Sequence, residues 1–339
     1  MNLAFLSFTD EGEKLAHTLA KALGGSVMRC GRPLSLREWT RQHFSSGRGL
    51  IFVGAVGIAV RAIAPYVDKK WTDPAVVVVD EGAHFAVPLL SGHLGGANHL
   101  ARRIQEVCGA KAVITTATDV HGAFAVDEWA RCQGLSVENP THIRVVSGKI
   151  LAGGTVAVQS RWVIDGDCPE GVALCTGPNA DVQVDIQKKD DTAALFLVPN
   201  IVVLGIGCRK GISFSALETA WEQFSLHTGL YESAICAVSS IDLKKDEPGL
   251  LDFCRHHGWP FMTFPADELR RVPGDFTSSP FVQKVTGVDN VCERSAVAAS
   301  GGERLFPKWV WDGVTLAAAQ KPFTLSWRWQ DEPVTKSQE

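Results

Sequence analysis

The densest concentration of potential chemistry in this sequence is Ser91-Gly-His-Leu-Gly-Gly-Ala-Asn98, which opens a helix. Gly92, Gly95 and Gly96 carry no Cβ, so backbone N–H groups there can approach a ligand closely. Bare amides at a helix start favour negative charge, which makes carboxylates and phosphates the natural guests. The competing reading is a tight turn that needs positive φ. One glycine would serve that turn, whereas three, with His93 and Asn98 among them, favour a site. Ser91 and His93 suggest a nucleophile and its base. Residues two apart do not face each other on a helix, however, and no nucleophile elbow surrounds the serine. A second concentration is Gly205-Ile-Gly207-Cys208-Arg209-Lys210-Gly211. Lysine stands where the dinucleotide fingerprint G-x-G-x-x-G requires glycine, so that motif fails. Arg209 and Lys210 instead place two cations beside the turn, suited to a carboxylate partner, with a pair of solvated cations as the bland alternative. Gly54-Ala-Val-Gly57 leads into a helix carrying Arg61, and Asp242 and Lys244 precede another. Gly287 leads into a third helix, where Glu293 either complements the helix dipole or does chemistry. No P-loop and no H-E-x-x-H occur, and His84, His93 and His99 lack metal-ligand spacing, so no metal site is expected.

Alternating strands and helices must position these groups. Val76–Val79 is a continuous apolar run, the pattern of a strand buried on both faces. Asp80–Ala83 turns the chain, His84–Leu89 is a second extended piece, and Leu100, Ile104 and Val107 form the stripe of a helix that Gly109 ends. Upstream, Leu3–Phe8 is a strand. Asp10 with Glu13 and Ser35 with Glu38 resemble capping boxes, and Leu50–Val53 is the next strand. Ala112–Thr116 is a further strand that leads to Asp119. This rhythm predicts a doubly wound α/β domain over 1–133, with ligands beyond the carboxyl ends of strands, and both Gly54–Gly57 and Gly92–Gly96 look like such ends. Residues 134–198 predict a small α+β middle domain with little catalytic chemistry. A carboxyl-terminal α/β domain over 199–325 begins at the Ile201–Leu204 strand, has a helix capped by Ser215 and Glu218, and closes with the strand Val314–Ala319. Residues 326–339 form a tail in which Trp327 and Trp329 alternate as an edge strand.

Composition narrows the class. The 339 residues are 45% apolar and 21% charged, the balance of an ordinary soluble chain of two or three domains. A formal charge of −4 argues against a general nucleic-acid binder. No apolar run reaches the length of a membrane span, and Met1–Leu6 reads as a first strand and not as a signal peptide. The 9 cysteines form no CxxC pair, which points to reduced thiols in a cytoplasmic protein and away from structural zinc.

Five segments together resemble the CbiG family of cobalamin biosynthesis: Gly49–Arg61, Leu89–Asn98, Gly205–Arg209, Ile241–Lys244 with Glu247, and Thr286–Val288 with Cys292-Glu293. The resemblance runs in family order to about Gln320 and leaves out the Trp-rich tail. It implies hydrolysis of cobalt-precorrin-5A, a ring-contracted cobalt tetrapyrrole bearing a δ-lactone. Water would open the lactone, and a two-carbon fragment would leave as acetaldehyde to give cobalt-precorrin-5B. No cofactor is implied, because the substrate carries the cobalt. The implied partners are that corrinoid and other cobalamin-pathway enzymes that exchange a labile intermediate, with a homodimer left open. The chemistry needs an oxyanion site, a base for water and an acid–base group for the freed alcohol. By chemistry alone His84, His93, Asp119 and Glu293 are the candidates. The substrate's many carboxylates suit Arg61 and Arg209, and a wide ligand suits an interface, so the two α/β domains are expected to face each other across it. The alternative, from another class, is a corrinoid carrier that binds the intermediate without hydrolysing it.

Overall fold

The first part of the chain builds one mixed 6-stranded sheet from β1 (Asn2–Ser7), β2 (Ser26–Arg29), β3 (Arg48–Val53), β4 (Ala75–Val79), β5 (Phe85–Leu90) and β6 (Lys111–Ala112), in the order β2-β1-β3-β4-β5-β6. The computed structural model describes residues 1–177, 179–188 and 194–329. Around the sheet lie α1 (Asp10–Leu23), α2 (Leu36–His43), α3 (Val56–Ile63) and α4 (Ala97–Cys108), followed by α5 (Ala117–Val120) and α6 (Val126–Cys132). Side chains alternate across the sheet. Phe5, Ile51, Val77 and Val79 join Leu19 and Ile104 on one face, while Leu6, Phe52, Val76 and Val78 meet Trp39 and Ile63 on the other. The valine run is therefore buried on both sides, and each such side chain contributes ~1.5–3 kcal/mol. Ser35 and Glu38 form the expected reciprocal cap of α2. Thr9, and not Asp10, caps α1 by accepting the Gly12 N–H.

Strands β1 to β4 run parallel, but β5 is antiparallel to β4, and β6 follows β5. The short Asp80–His84 connection forces this, since a parallel return needs a crossover of a dozen or more residues. The carboxyl end of β5 thus lies at the amino ends of β3 and β4. Gly54–Gly57 and Gly92–Gly96 therefore sit at opposite edges of the sheet and not at one edge. At ~3.3 Å per residue, the length of β4 keeps them roughly 13 Å or more apart.

A second sheet contains β7 (Leu135–Val137), β8 (Val156–Ser160), β10 (Val172–Leu174), β11 (Val182–Val184) and β12 (Leu195–Pro199), with α7 (Ile143–Leu151) preceding β8. Strands β10, β8, β11 and β12 pair in parallel, and β7 closes the edge antiparallel. Leu195 and Leu197 of β12 enter a core with Val146 and Trp129, while Phe196 and Val198 enter the core of the third sheet. Alternation along one strand welds the two units together, and α6 belongs to the second core although the sequence reading ended the first domain after it. The tail also folds back: β18 (Leu325–Ser326) pairs with β9 (Ile164–Asp165), and Trp327 stacks on Trp129 at 5.1 Å. The large apolar area of Trp327 is buried against the middle unit, and the strand ends at Ser326, so Trp327 and Trp329 do not alternate along the expected edge strand. Residues 330–339 lie outside the described residues.

The third sheet has the order β15-β14-β13-β17-β16, from β13 (Val202–Cys208), β14 (Ile235–Ile241), β15 (Phe261–Phe264), β16 (Glu303–Trp311) and β17 (Val314–Gln320). Its helices are α8 (Phe214–Thr228), α9 (Pro248–His257), α10 (Ala266–Arg271), α11 (Pro280–Thr286) and α12 (Cys292–Ser300). Ser213 caps α8 in place of the expected Ser215. The strand expected to close the sheet, β17, lies inside it between β13 and β16. Helix α12 approaches β13 so closely that a Cβ on Gly205 would stand 1.8 Å from the Cys292 carbonyl oxygen. The whole is a multi-domain α/β protein. No helix among the described residues is long and apolar enough to cross a membrane.

Candidate functional site

The carboxyl ends of β13 and β14 open into a cavity of ≈ 930 Å³, where open α/β sheets bind their ligands. Leu243, Phe281, Val285 and Val310 give it an apolar wall, and Phe281 remains 76% exposed. Arg209, Lys210 and Lys308 edge that wall with positive charge, while Lys244 is paired with Glu247 and Asp246 adds one negative charge at the rim. A broad apolar ligand edged with carboxylates matches both features. Of the residues singled out in the sequence, Gly207, Cys208, Arg209, Lys210 and Lys244 line the cavity. Burial pushes the Cys208 thiol up to about 11, so it is protonated and a poor nucleophile at neutral pH. Gly205 is a packing glycine beneath α12, Asp242 begins the 3-10 turn Asp242–Lys244, and Gly287 ends α11 in a left-handed conformation.

Sequence reasoning left Glu247 out of the site. It lines the cavity, is buried, and accepts the Gly211 N–H through Oε1 at 2.7 Å and the Lys244 ammonium through Oε2 at 3.0 Å. Burial opposes its ionisation, but Lys244 and the Gly211 amide hold the carboxyl below its ordinary range. Its place just before Pro248 at the start of α9 looked like an ordinary helix entry, and only the fold reveals the Gly211 contact. Phe281 and Val285, one turn apart on α11, and Lys308 were also missed.

The amino-terminal candidates form a different object. His93 is buried and donates to Asp119 Oδ2 through Nε2 at 2.6 Å and to Asp127 Oδ1 through Nδ1 at 3.1 Å. Burial works against the charge, yet the hydrogen bonds and charges of the two aspartates outweigh it and hold the imidazole up to about 9. Arg102 and the Asn98 amide complete the environment of Asp119. Both His93 nitrogens carry protons committed to carboxylates, which leaves no lone pair for a base. Three amides of the turn are engaged within it: Gly96 donates to the His93 carbonyl, Ala97 to that of Ser91 and Asn98 to that of Gly92. The glycines answer steric needs. A Cβ on Gly95 would lie 2.3 Å from Ser91 Cβ, one on Gly92 would lie 2.8 Å from Asn98 Oδ1, and Gly96 has φ +83°. This segment is a tight turn locked by buried ions.

The remaining candidates stand apart. Glu293 is fully buried behind the cavity wall, accepting from the Thr277 amide at 2.7 Å, Asn290 Nδ2 at 2.7 Å and the Lys308 amide at 2.6 Å. His84 is 74% exposed and paired with Asp80 at 2.9 Å on the turn before β5. Gly54 makes room for the Phe8 ring, and the Arg61 guanidinium bonds the Gly57 carbonyl at 3.1 Å. Arg61 is not among the residues around the cavity, which run from Gly207 to Thr315, so the expected meeting of Arg61 and Arg209 across one cleft does not occur there. Among the described residues, no three His, Cys, Asp or Glu side chains assemble into a metal-holding group.

Residues 38–119 match the family described as cobalamin synthesis G N-terminal, and residues 202–319 match cobalamin synthesis G C-terminus. The first range holds two of the five motif segments and the second holds the other three. The cobalt-precorrin-5A hydrolase of Salmonella typhimurium is 34% identical over 345 residues, spanning 93% of this chain and 96% of its own. The protein of the same name from Priestia megaterium is 32% identical over 310 residues, spanning 85% of this chain and 83% of its own. A crystal structure of a cobalamin biosynthesis protein G homologue from Sulfolobus solfataricus aligns over 95% of this chain and 97% of its own, with TM-score 0.42 and 19% identity. The chain belongs to the CbiG family of cobalamin synthesis proteins.

Proposed function

We propose that this protein hydrolyses cobalt-precorrin-5A, opening the δ-lactone and releasing the two-carbon fragment as acetaldehyde to give cobalt-precorrin-5B. The observation that carries the reading is likeness along almost the whole chain to enzymes of that name. The cavity beyond β13 and β14 is its substrate site in this reading. The apolar wall meets a face of the macrocycle, and Arg209, Lys210 and Lys308 meet its acetate and propionate groups. Cobalt arrives with the substrate, and the protein supplies no cofactor. Nine free cysteines suit the reducing cytoplasm.

The test is anaerobic incubation of purified protein with the cobalt lactone while any aldehyde is trapped. Lactone opening with acetaldehyde release, without added nucleotide or metal, is the expected result. Tight binding with the lactone left intact would make the protein a carrier and overturn the reading. Arg209→Lys should weaken binding, because lysine loses the two-pronged contact with a carboxylate. Arg209 is exposed, so the loss should be at most about 1 kcal/mol, roughly fivefold in Kd, and should shrink as salt rises. An unchanged Kd at low salt would remove Arg209 from the site.

A further inference from the structure

Hydrolysis of a lactone needs a group to take a proton from water and a donor for the oxyanion that forms on the carbonyl. The four side chains that the sequence offered for this work are not in the cavity. Within it, the thiols Cys208 and Cys292 are protonated, Asp246 lies on the exposed rim, and Arg209, Lys210 and Lys308 are cations. Glu247 and Lys244 remain, and they are held as a unit. Lys244 ends the single turn that follows β14, Glu247 enters α9 three residues later, and their Oε2–Nζ distance is 3.0 Å. Their side chains are 6% and 12% exposed, which removes most competing water. Glu247 accepts the Gly211 N–H on Oε1 and the Lys244 ammonium on Oε2, with the Ile212 amide also bonding the carboxylate. Three partners leave room among its four lone pairs for a water, and Lys244 has three N–H donors of which Glu247 takes one.

Resting on the reading of the cavity as the substrate site, we propose that Glu247 is the catalytic base and Lys244 the oxyanion donor of the lactone opening. A water bound against Glu247 gives up a proton to the carboxylate as its oxygen bonds to the lactone carbonyl carbon. The carbonyl electron pair moves onto oxygen, where Lys244 donates to it. When that pair returns, the acyl carbon–oxygen bond breaks and the departing alkoxide takes the proton from Glu247. The same carboxylate then removes the hydroxyl proton. The carbon–oxygen bond becomes a carbonyl, the neighbouring carbon–carbon bond breaks, and its electron pair enters the conjugated macrocycle. The proton follows to the ring, and acetaldehyde leaves. Atoms and charge balance with one water consumed, and no oxidant or reductant is required.

Glu247→Gln tests the assignment, since the amide oxygen can still accept the Gly211 N–H. With the cobalt lactone as probe, kcat should fall at least ~100-fold, as for loss of a general base. Binding, read from the visible bands of the tetrapyrrole, should stay within about threefold, a change of under ~0.7 kcal/mol. Turnover within about tenfold of the parent would overturn the proposal, as would binding and turnover lost in parallel, which would make Glu247 a mere strut of the 208–211 turn. If Glu247→Gln does not fold, Lys244→Met carries the test. Binding kept with turnover down ~100-fold supports the donor role, and turnover unchanged removes it. A parent protein that leaves the lactone intact would sink the functional reading itself, an outcome distinct from any variant's.

Discussion

His93→Ala should destabilise the amino-terminal domain by about 3 kcal/mol near neutral pH, because it removes the cation shared by two buried carboxylates, leaving Asp119 to Arg102 and Asn98 and Asp127 with Lys70 no nearer than 4.0 Å. Asp127 is 2% exposed and Asp119 12%, and both lose their shared cation. The effect should depend on pH in a definite sense. The imidazole titrates at about 9 in the folded state against an ordinary 6.5, so its contribution is fully present below 6.5 and is lost as pH rises through about 9. The size of that shift corresponds to roughly 3 kcal/mol. Asp119 and Asp127 are held below their ordinary 3.8 by His93 against the cost of burial, so their contribution is present above that value and is lost as pH falls through the lowered range. Hydrogen exchange of the Val76–Val79 amides reports this domain separately from the other two sheets. The gap between parent and variant should be widest near pH 6 and should narrow towards pH 9.5. A gap that is absent near pH 6, or that widens as pH rises, would show that His93 is not the charged centre of this cluster.

The same residues show what a sequence conveys and where it stops. Burial of the valine strand on both faces, the Ser35–Glu38 cap and the glycine ends of α4 and α9 are local properties, set by composition within a few residues. Strand direction is less local, though the shortness of the Asp80–His84 turn contained the answer. A hairpin at that turn places Gly54–Gly57 and Gly92–Gly96 at opposite edges. The glycines of the Ser91–Asn98 turn carried a real signal that two causes could produce. They are demanded by contacts with Ser91 and Asn98 and by positive φ, and a ligand would demand the same residue type. The cavity was half legible: the Gly207–Lys210 turn and Lys244 stood out as cations at strand-to-helix connections, where a carboxylate partner can approach. Its apolar wall was not legible, because Phe281 and Val285 belong to a short helix whose stripe points at space and not at a core. Glu247 and Glu293 were indistinguishable as sequence, each an acid at a helix start. Their difference lies in partners 15 or more residues away, such as Gly211 for one and Lys308 for the other.

That difference sets the second large effect. Glu293→Ala should cost the carboxyl-terminal domain about 3 kcal/mol or more, because it leaves several buried donors without an acceptor. The carboxylate takes the Thr277 amide and hydroxyl, Asn290 Nδ2 and the Lys308 amide, with Arg304 at 3.4 Å. Those partners belong to the loop before α11, the loop before α12 and strand β16, so one side chain ties three segments behind the cavity. Asn290 and Lys308 also line the cavity, which links this buried site to the ligand. The variant should therefore lower the unfolding midpoint and weaken binding of the cobalt lactone, with any remaining turnover per bound substrate close to the parent's. Glu293→Gln should be intermediate in stability, since it keeps one acceptor but turns an NH2 group towards donors that need an oxygen. A catalytic acid or base would give the opposite pattern: Glu293→Gln with normal stability and normal binding, and kcat down ~100-fold or more. Measuring unfolding, Kd and single-turnover rate on the same two variants separates the roles, and the opposite pattern would move the catalytic carboxylate from the cavity floor to the wall behind it.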